Sequence, residues 1–84
     1  MKILFSNHAK LKIKIFKEHG FLITEEQVRD VVKNPDTIER GRKERVIAQK
    51  AIDDKHVLRV VYEISIEAIE IITFYPGRRS RYED

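Results

Sequence analysis

The alternation of apolar and polar residues is clearest in the second half of the chain. Three segments rich in Val, Ile, Tyr and Phe, at residues 45–52, 56–65 and 68–75, are separated by polar or turn-prone breaks at 53–55 and 66–67. Apolar runs of this length, joined by such short breaks, are typical of strands that pair with their neighbours in the chain. The pattern therefore predicts a three-stranded antiparallel meander.

Successive side chains of a strand point to opposite faces, so the same pattern assigns residues to faces. In the last strand, alternation predicts that Ile71 and Phe74 face oppositely, and in the middle strand it leaves Arg59 on the outer face. Both faces carry apolar residues, so the pattern leaves open which of them receives the helices. The predicted inward residues of the middle strand are Leu58, Val60, Tyr62 and Ile64.

The first half of the chain predicts a short strand followed by a helix. Residues 2–5 are mostly apolar, and either Ser6 or Asn7 can cap the helix, because their side chains accept hydrogen bonds from free backbone N–H groups. The helix should continue to about His19. Gly20 can adopt the left-handed backbone conformation that ends a helix there.

A second helix is predicted by the clearest local signal in the chain. Thr24 and Gln27 have the spacing of a capping box, in which each side chain bonds the backbone N–H of the other residue. Asn34-Pro35 ends this helix, because proline disfavours helical backbone at the preceding residue. Two short helices joined by a tight turn form an αα-hairpin, which is too small to bury both faces and should lie on one face of the sheet.

Residues 36–43 are polar and allow two interpretations. They form either a loop with strand character at 37–40 or a short strand with a turn at Gly41. Together, these patterns predict a single α+β domain over residues 1–84. It consists of a short N-terminal strand, an αα-hairpin and a three- to four-stranded antiparallel meander.

Composition and charge narrow the class of protein. The 84 residues contain 42% hydrophobic residues and no cysteine, so the chain can form one small core but no disulfide and no thiol-based site. No apolar run reaches membrane length, which favours a soluble, cytoplasmic protein without a membrane partner. With 17 Lys and Arg and a net charge of +3, an RNA partner is permitted but not required. His8 and His19 would lie about 16 Å apart along a helix, so no metal or other cofactor is predicted.

Two single residues are candidates for chemistry. His8 falls in the first turn of the first helix, where the helix dipole favours a neutral imidazole that can accept a proton. The alternative for His8 is a hydrogen bond that joins the helix to the sheet. Arg59 is a charged residue in the most apolar strand, and on an open face it would form the floor of an anion site. The alternative for Arg59 is an ion pair with Glu63 or Glu70.

The strongest basic cluster is Arg78, Arg79 and Arg81, with Tyr75 and Tyr82 nearby. Arginine offers paired donors to phosphate, and tyrosine can stack on a base or transfer a proton. The alternative is an exposed tail that solvates the C-terminus. A second cluster makes a binding site only if it meets the first across one face; it consists of Arg40, Arg42, Lys43 and Arg45.

The predicted order of elements resembles the RelE/ParE toxin fold, and the likeness spans nearly the whole chain. Three local patterns are similar to a widespread small bacterial and archaeal family of unknown function that is allied to those toxins. They are FSNHA at 5–9 followed by HGF at 19–21, the Asn-Pro stop at 34–35, and LRVVY at 58–62 followed by IITFYP at 71–76. That family usually carries arginines along the first helix and just before the glycine. This chain has Lys12 and His19 instead.

The resemblance implies an mRNA interferase, a toxin that cleaves RNA, often on the ribosome, and is silenced by a cognate antitoxin protein. Such cleavage needs no metal or other cofactor, because the 2′-hydroxyl attacks the adjacent phosphate and the protein supplies a base, an acid and positive charge. The implied catalytic residues are His8, Arg59, Arg79, Arg81 and Tyr82. The implied RNA-binding residues are Lys12, Arg40, Arg42, Lys43, Arg45 and Arg78.

Within that set, the roles are a hypothesis mapped from the resemblance. Arg59, with Arg79 or Arg81, stabilises the phosphate; His8 or, alternatively, Lys12 is the base; Tyr82 or an arginine assists the leaving oxygen. A competing interpretation is a module that binds RNA or a protein without cutting. A third is an exposed strand edge that takes up an antitoxin segment as an added strand.

Overall fold

A four-stranded antiparallel meander forms most of the sheet in the computed structural model, which describes residues 2–83. A fifth strand, at the N-terminus of the chain, pairs in parallel with the last strand and makes the sheet mixed. In sheet order the strands are β1 (Lys2–Phe5), β5 (Ala68–Arg78), β4 (His56–Ile64), β3 (Val46–Ala51) and β2 (Thr37–Arg40). The α+β class is therefore confirmed, and residues 37–40 are a strand.

The helices are α1 (Asn7–Glu18), α2 (Glu25–Lys33) and the short α3 (Arg79–Tyr82). The caps of α1 and α2 are those that the sequence predicts. Ser6 caps α1 by accepting from the Ala9 N–H at 3.0 Å, Thr24 and Gln27 form the capping box of α2, and Gly20 has φ of 78°. Within residues 2–83, no helix is long and apolar enough to span a membrane.

The hydrophobic core joins α1 and α2 to alternate residues of the central strands. Three of the four predicted inward residues of β4 are buried, whereas Ile64 is 58% exposed because it ends the strand beside an exposed turn. Alternation along β4 then directs Arg59, between two core residues, to the other side of the sheet. The buried members of the core cluster are Ala9, Ile23, Val28, Val31, Val32, Ala48, Leu58, Val60, Tyr62, Ile71 and Phe74.

A β-bulge changes the faces of β5. Val61 pairs with Thr73 while Tyr62 pairs with Ile71, so the residue between these two partners on β5 has no counterpart on β4. One extra residue reverses the alternation beyond it. As a result, Ile71 and Phe74 both lie in the core with 0% exposure. The prediction that they face oppositely is wrong because it assumes an uninterrupted strand.

The chain does not leave the sheet after Tyr75. β5 continues through Pro76 and Gly77 to Arg78, which pairs with His56 of β4. Proline is compatible with this position because β1 pairs with β5 only as far as residue 71, which leaves the outer edge of β5 without a strand partner there. The C-terminal arginines therefore lie on a strand end and on α3, and not on the exposed tail that was the alternative.

Candidate functional site

Arg59 is buried, with 7% of its surface exposed, and each of its three guanidinium nitrogens donates a hydrogen bond. It donates to the Tyr75 hydroxyl at 3.0 Å, to the Gln49 side-chain oxygen and to the Glu39 carboxylate. Gln49 and Tyr75 are its partners in the register of the two neighbouring strands. Burial favours the neutral form, but the hydrogen bonds with Tyr75 and Glu39 outweigh it and raise the pKa of Arg59. Arg59 is therefore a charged residue held in an ion pair.

The acidic partner of Arg59 is neither of the two glutamates that the sequence suggests. Glu63 pairs instead with Arg45 at 3.1 Å, and Glu70 lies opposite Glu63 on the adjacent strand. Glu39 reaches Arg59 because β2 joins the sheet beside β3. An ion pair is thus the correct alternative for Arg59, but the expected partners are wrong.

Tyr82 covers the Arg59 guanidinium from α3. Its ring centroid lies 4.3 Å from Arg59 Cζ, compared with 5.8 Å for the Tyr75 ring, and its carbonyl accepts from the Gln49 side chain at 3.5 Å. The same ring rests on Gly77, where a Cβ atom would lie 2.3 Å from Tyr82 Cε2. The contact therefore requires glycine at position 77, and α3 docks on the sheet face that carries Arg59.

The two basic clusters lie at opposite ends of the sheet. Arg40 pairs with Val46, which pairs with Tyr62, whereas Arg78 pairs with His56 at the other end of β4. Six residues along a strand correspond to about 20 Å. The other members of the cluster that contains Arg40 follow in the β2–β3 connection, and they are Arg42, Lys43 and Arg45. The structure does not bring these four residues to the C-terminal arginines.

His8 is also distant from the C-terminal arginines. It lies in the first turn of α1, just after Phe5, which pairs with Ile71 at the end of the sheet away from Arg78. The His8 side chain is exposed, and within residues 2–83 it makes no hydrogen bond. It therefore forms neither the expected contact with the arginine cluster nor a bond between helix and sheet.

Lys12 forms hydrogen bonds with the outer edge of β5. Its ammonium donates to Thr73 Oγ1 at 3.1 Å and to the Phe74 carbonyl, and it lies 5.4 Å from the centroid of the Phe74 ring. Burial lowers the pKa of Lys12. The structure thus uses Lys12 to satisfy a strand edge that β1 is too short to reach.

Two adjoining clefts flank the start of α3. The His56 cleft, of about 430 Å³, is lined by Asp54, Lys55, His56, Arg78, Arg79 and Ser80. The Tyr82 cleft, of about 510 Å³, is lined by Pro76, Gly77, Arg78, Ser80, Arg81 and Tyr82. The two clefts share Arg78 and Ser80. Four of the residues named from the sequence, Arg78, Arg79, Arg81 and Tyr82, are therefore brought together here.

Among the described residues that line the two clefts, Lys55 and three arginines outnumber the one carboxylate, that of Asp54, so the clefts carry a net positive charge. Arg78 and Arg81 are exposed, and within residues 2–83 neither forms an ion pair. Arg79 donates to Glu83 at 2.7 Å, and this hydrogen bond raises the pKa of Arg79. Lys55 adds a further ammonium group at the rim of the His56 cleft. The site can therefore attract an anion, chiefly through Arg78, Arg81 and Lys55.

His56 is a candidate residue that the sequence alone does not single out. The Asp53 carboxylate lies 3.0 Å from His56 Nδ1 and also accepts from the backbone N–H groups of Lys55 and His56 at 2.7 Å each. The ring of Phe21 packs against the imidazole at a centroid distance of 6.1 Å. The one available signal is the sequence DDKH at a break between strands, which reads as an ordinary turn.

We expect Asp53→Asn to reduce the acid sensitivity of the fold. The hydrogen bond from the Lys55 backbone and those from His56 lower the pKa of Asp53. The ionised carboxylate therefore stabilises the folded state above its unfolded pKa of about 3.9, and this stabilisation disappears as the pH falls through the lower folded value. Urea unfolding at about pH 7 and about pH 2 should show a smaller loss of stability in the variant than in the wild-type protein.

The neighbouring substitution Asp54→Asn provides the control for this measurement. The Asp54 carboxylate accepts no hydrogen bond within residues 2–83, so this variant should lose as much stability on acidification as the wild-type protein. Equal losses in all three proteins would contradict the role given to Asp53.

Comparison with protein-family models, with curated proteins and with solved structures finds no match for this chain. The resemblance to RelE/ParE toxins therefore remains a prediction based on sequence motifs. Within residues 2–83, no three His, Asp or Glu side chains are grouped as ligands for a metal ion.

Proposed function

We propose that this protein binds RNA in the two clefts beside α3 and cleaves it as an mRNA interferase-type toxin controlled by an antitoxin. The observation that supports the proposal is the convergence of Arg78, Arg79, Arg81 and Tyr82 on one concave surface. Guanidinium groups offer paired donors that match phosphate oxygens, and a concave basic surface concentrates a polyanion. The proposed catalysis uses side chains without a resident cofactor.

The volumes and shared lining of the clefts favour a strand of nucleotides over a single small anion. Each volume falls within the range of pockets that hold small molecules, so each cleft has room for one nucleotide. Arg78 lies on the wall that the two clefts share, where a phosphate linking two nucleotides would pass. The arrangement thus suits two successive nucleotides of a single strand.

We further propose that the elements adopt the RelE-like arrangement, with the αα-hairpin on one face and RNA at the end of the sheet where β5 meets α3. The packing of the helices with Leu58 and Val60, but not with Arg59, supports this arrangement. His8 has no part in the proposed site, because it lies at the far end of the sheet.

A second candidate function is RNA binding without cleavage. It is favoured by the engagement of Arg59, whose guanidinium is paired with Glu39 and covered by Tyr82. In this state each of the three guanidinium nitrogens of Arg59 already donates a hydrogen bond within the protein. The two candidates share one binding surface and differ only in whether the bound strand is cut.

The proposal is tested by binding and cleavage of a labelled single-stranded RNA, alone and with ribosomes. The double variant Arg78→Ala and Arg81→Ala should bind at least about tenfold more weakly and show a salt-dependence slope smaller by about 1.4, as expected for two lost phosphate contacts. The double variant Lys10→Ala and Lys14→Ala removes the same charge from exposed positions of α1, and it should bind within about twofold of the wild-type protein.

A third double variant, Arg42→Ala and Lys43→Ala, measures the contribution of the distant basic cluster and should also bind like the wild-type protein. Equal weakening in all three variants would show charge attraction without a site and contradict the proposal. Binding without cleavage, on RNA and on ribosomes, would favour the second candidate. If the wild-type protein neither binds nor cleaves RNA, both candidates are wrong.

A further inference from the structure

The hydrogen bonds of Asp53 determine which nitrogen of His56 carries the proton. An ionised carboxylate only accepts, so the imidazole nitrogen beside it, Nδ1, must be the N–H donor. In a neutral imidazole the other nitrogen, Nε2, then has a free lone pair. The two backbone N–H groups that bond Asp53 hold the carboxylate in place, so the imidazole orientation is fixed by the turn itself.

The cleft around His56 places positive charge close to this imidazole. Arg78 is the cross-strand partner of His56, and directly opposite residues have Cβ atoms only about 5 Å apart. The N–H of Arg79 donates to the Lys55 carbonyl at 2.8 Å, which ties the start of α3 to the turn that carries His56. The His56 side chain is 37% exposed, so a bound strand can reach it.

We infer that His56 is the proton acceptor of the reaction and that Asp53 is its positioning residue. This inference rests on the RNA-cleaving function proposed above. His56 Nε2 takes the proton of a ribose 2′-hydroxyl, and the 2′-oxygen forms a bond to the adjacent phosphorus. The bond from phosphorus to the 5′-oxygen breaks, and that oxygen leaves with the electron pair and takes a proton from water. The products are a 2′,3′-cyclic phosphate and a 5′-hydroxyl. Arg78 stabilises the negative charge that develops on the phosphate.

The histidines of the chain differ in a way that supports this choice. Within residues 2–83, His56 is the histidine whose ring nitrogen contacts a carboxylate and whose side chain lines a basic cleft. His8 and His19 lie exposed at the two ends of α1. A proton acceptor needs both orientation and a nearby phosphate site, and His56 combines them.

The test compares single-turnover cleavage by the wild-type protein with that by His56→Gln, on whichever RNA or ribosome substrate the wild-type protein cuts. Loss of a general base should lower the rate at least about 100-fold. The Kd for an RNA with a 2′-deoxy substitution at the cleavage site, which cannot react, should change by less than about twofold. His19→Gln is the matched control and should cleave at the wild-type rate.

Asp53→Asn tests the positioning role separately, because asparagine can still accept the backbone hydrogen bonds of the turn. It should lower the rate about tenfold with an unchanged Kd. It should also remove the preference of neutral His56 for a proton on Nδ1, which nitrogen-15 NMR of the imidazole reads directly. If glutamine at position 56 prevents folding, the inference is tested by the cleavage rate of Asp53→Asn and by the tautomer of His56 in that variant.

The outcomes separate this inference from the function on which it rests. If His56→Gln cleaves at the wild-type rate, the inference is wrong and the ribonuclease function stands. If His56→Gln does not fold, cleavage by Asp53→Asn at the wild-type rate leads to the same conclusion. If the wild-type protein binds the RNA but does not cut it, the cleavage reaction and the proposed role of His56 are both wrong. A wild-type protein that does not bind RNA removes the proposed function itself.

Discussion

Replacing Arg59 with alanine should lower the free energy of unfolding by about 3 kcal/mol, measured by urea denaturation at neutral pH. The substitution leaves the buried Gln49 side-chain oxygen without its donor and the Glu39 carboxylate without its partner. It also removes the cation beneath the Tyr82 ring. Complete removal of one member of a buried pair costs about 3–5 kcal/mol, and the lower end applies because the Glu39 side chain is 59% exposed and can be hydrated.

The matched control is Arg45→Ala. Arg45, in the β2–β3 connection, also pairs with a glutamate, Glu63 of β4, but the two side chains are 42% and 43% exposed. Exposed pairs contribute roughly 0–1 kcal/mol, so the loss of stability should stay within that range. Similar losses in the two variants would mean that Arg59 is hydrated in solution and would contradict the buried network described for it.

Replacing Gly77 with alanine should lower the free energy of unfolding by about 2 kcal/mol. The added methyl group would lie 2.3 Å from one Tyr82 ring carbon and 2.7 Å from the next, far inside van der Waals contact. The ring must therefore swing away, which removes it from Arg59 and undocks α3. Hydrogen exchange should show the loss as faster exchange of residues 79–83, with the core strands unchanged.

A double-mutant cycle with Tyr82→Ala identifies the cause of this loss. If the clash with the ring is responsible, Gly77→Ala should have an effect of less than about 0.5 kcal/mol in the Tyr82→Ala background, because nothing then opposes the methyl group. Additive effects would mean that position 77 matters for its backbone and not for its contact with Tyr82. The same cycle, repeated for RNA binding, reports how far the Tyr82 cleft depends on the docking of α3.

Local signals in the sequence predict the helices and most of the sheet. The capping box of Thr24 and Gln27 and the helix end at Gly20 each depend on residues within one turn of each other. The three long apolar runs become β3, β4 and β5 with ends that differ by a few residues. Features of this kind are predictable because the interaction that produces them is contained in a short segment.

Features that depend on distant residues are not predictable from the pattern. The bulge in β5 arises from pairing with β4, and it alone puts Ile71 and Phe74 on one face. The pairing of Arg59 with Glu39 requires the register of three strands. For the candidate site, the sequence predicts the arginines and Tyr82 as a group, whereas the cleft emerges only when the β3–β4 turn meets the end of β5. The bond between Asp53 and His56 is local to that turn, but only the cleft makes it a candidate for chemistry.

The contact of Lys12 with the edge of β5 also affects how copies of this protein meet one another. An unpaired strand edge is a template for another chain, and a long flat edge promotes aggregation. The Lys12 ammonium of α1 donates a hydrogen bond to the Phe74 carbonyl of β5. α1 thereby covers part of the edge that β1 leaves open. Apart from the end of β5 beyond Phe74, the sheet therefore presents its outer edges through β1 and β2, of four residues each. Such short edges give an incoming strand few hydrogen bonds, which should keep the protein dispersed at high concentration.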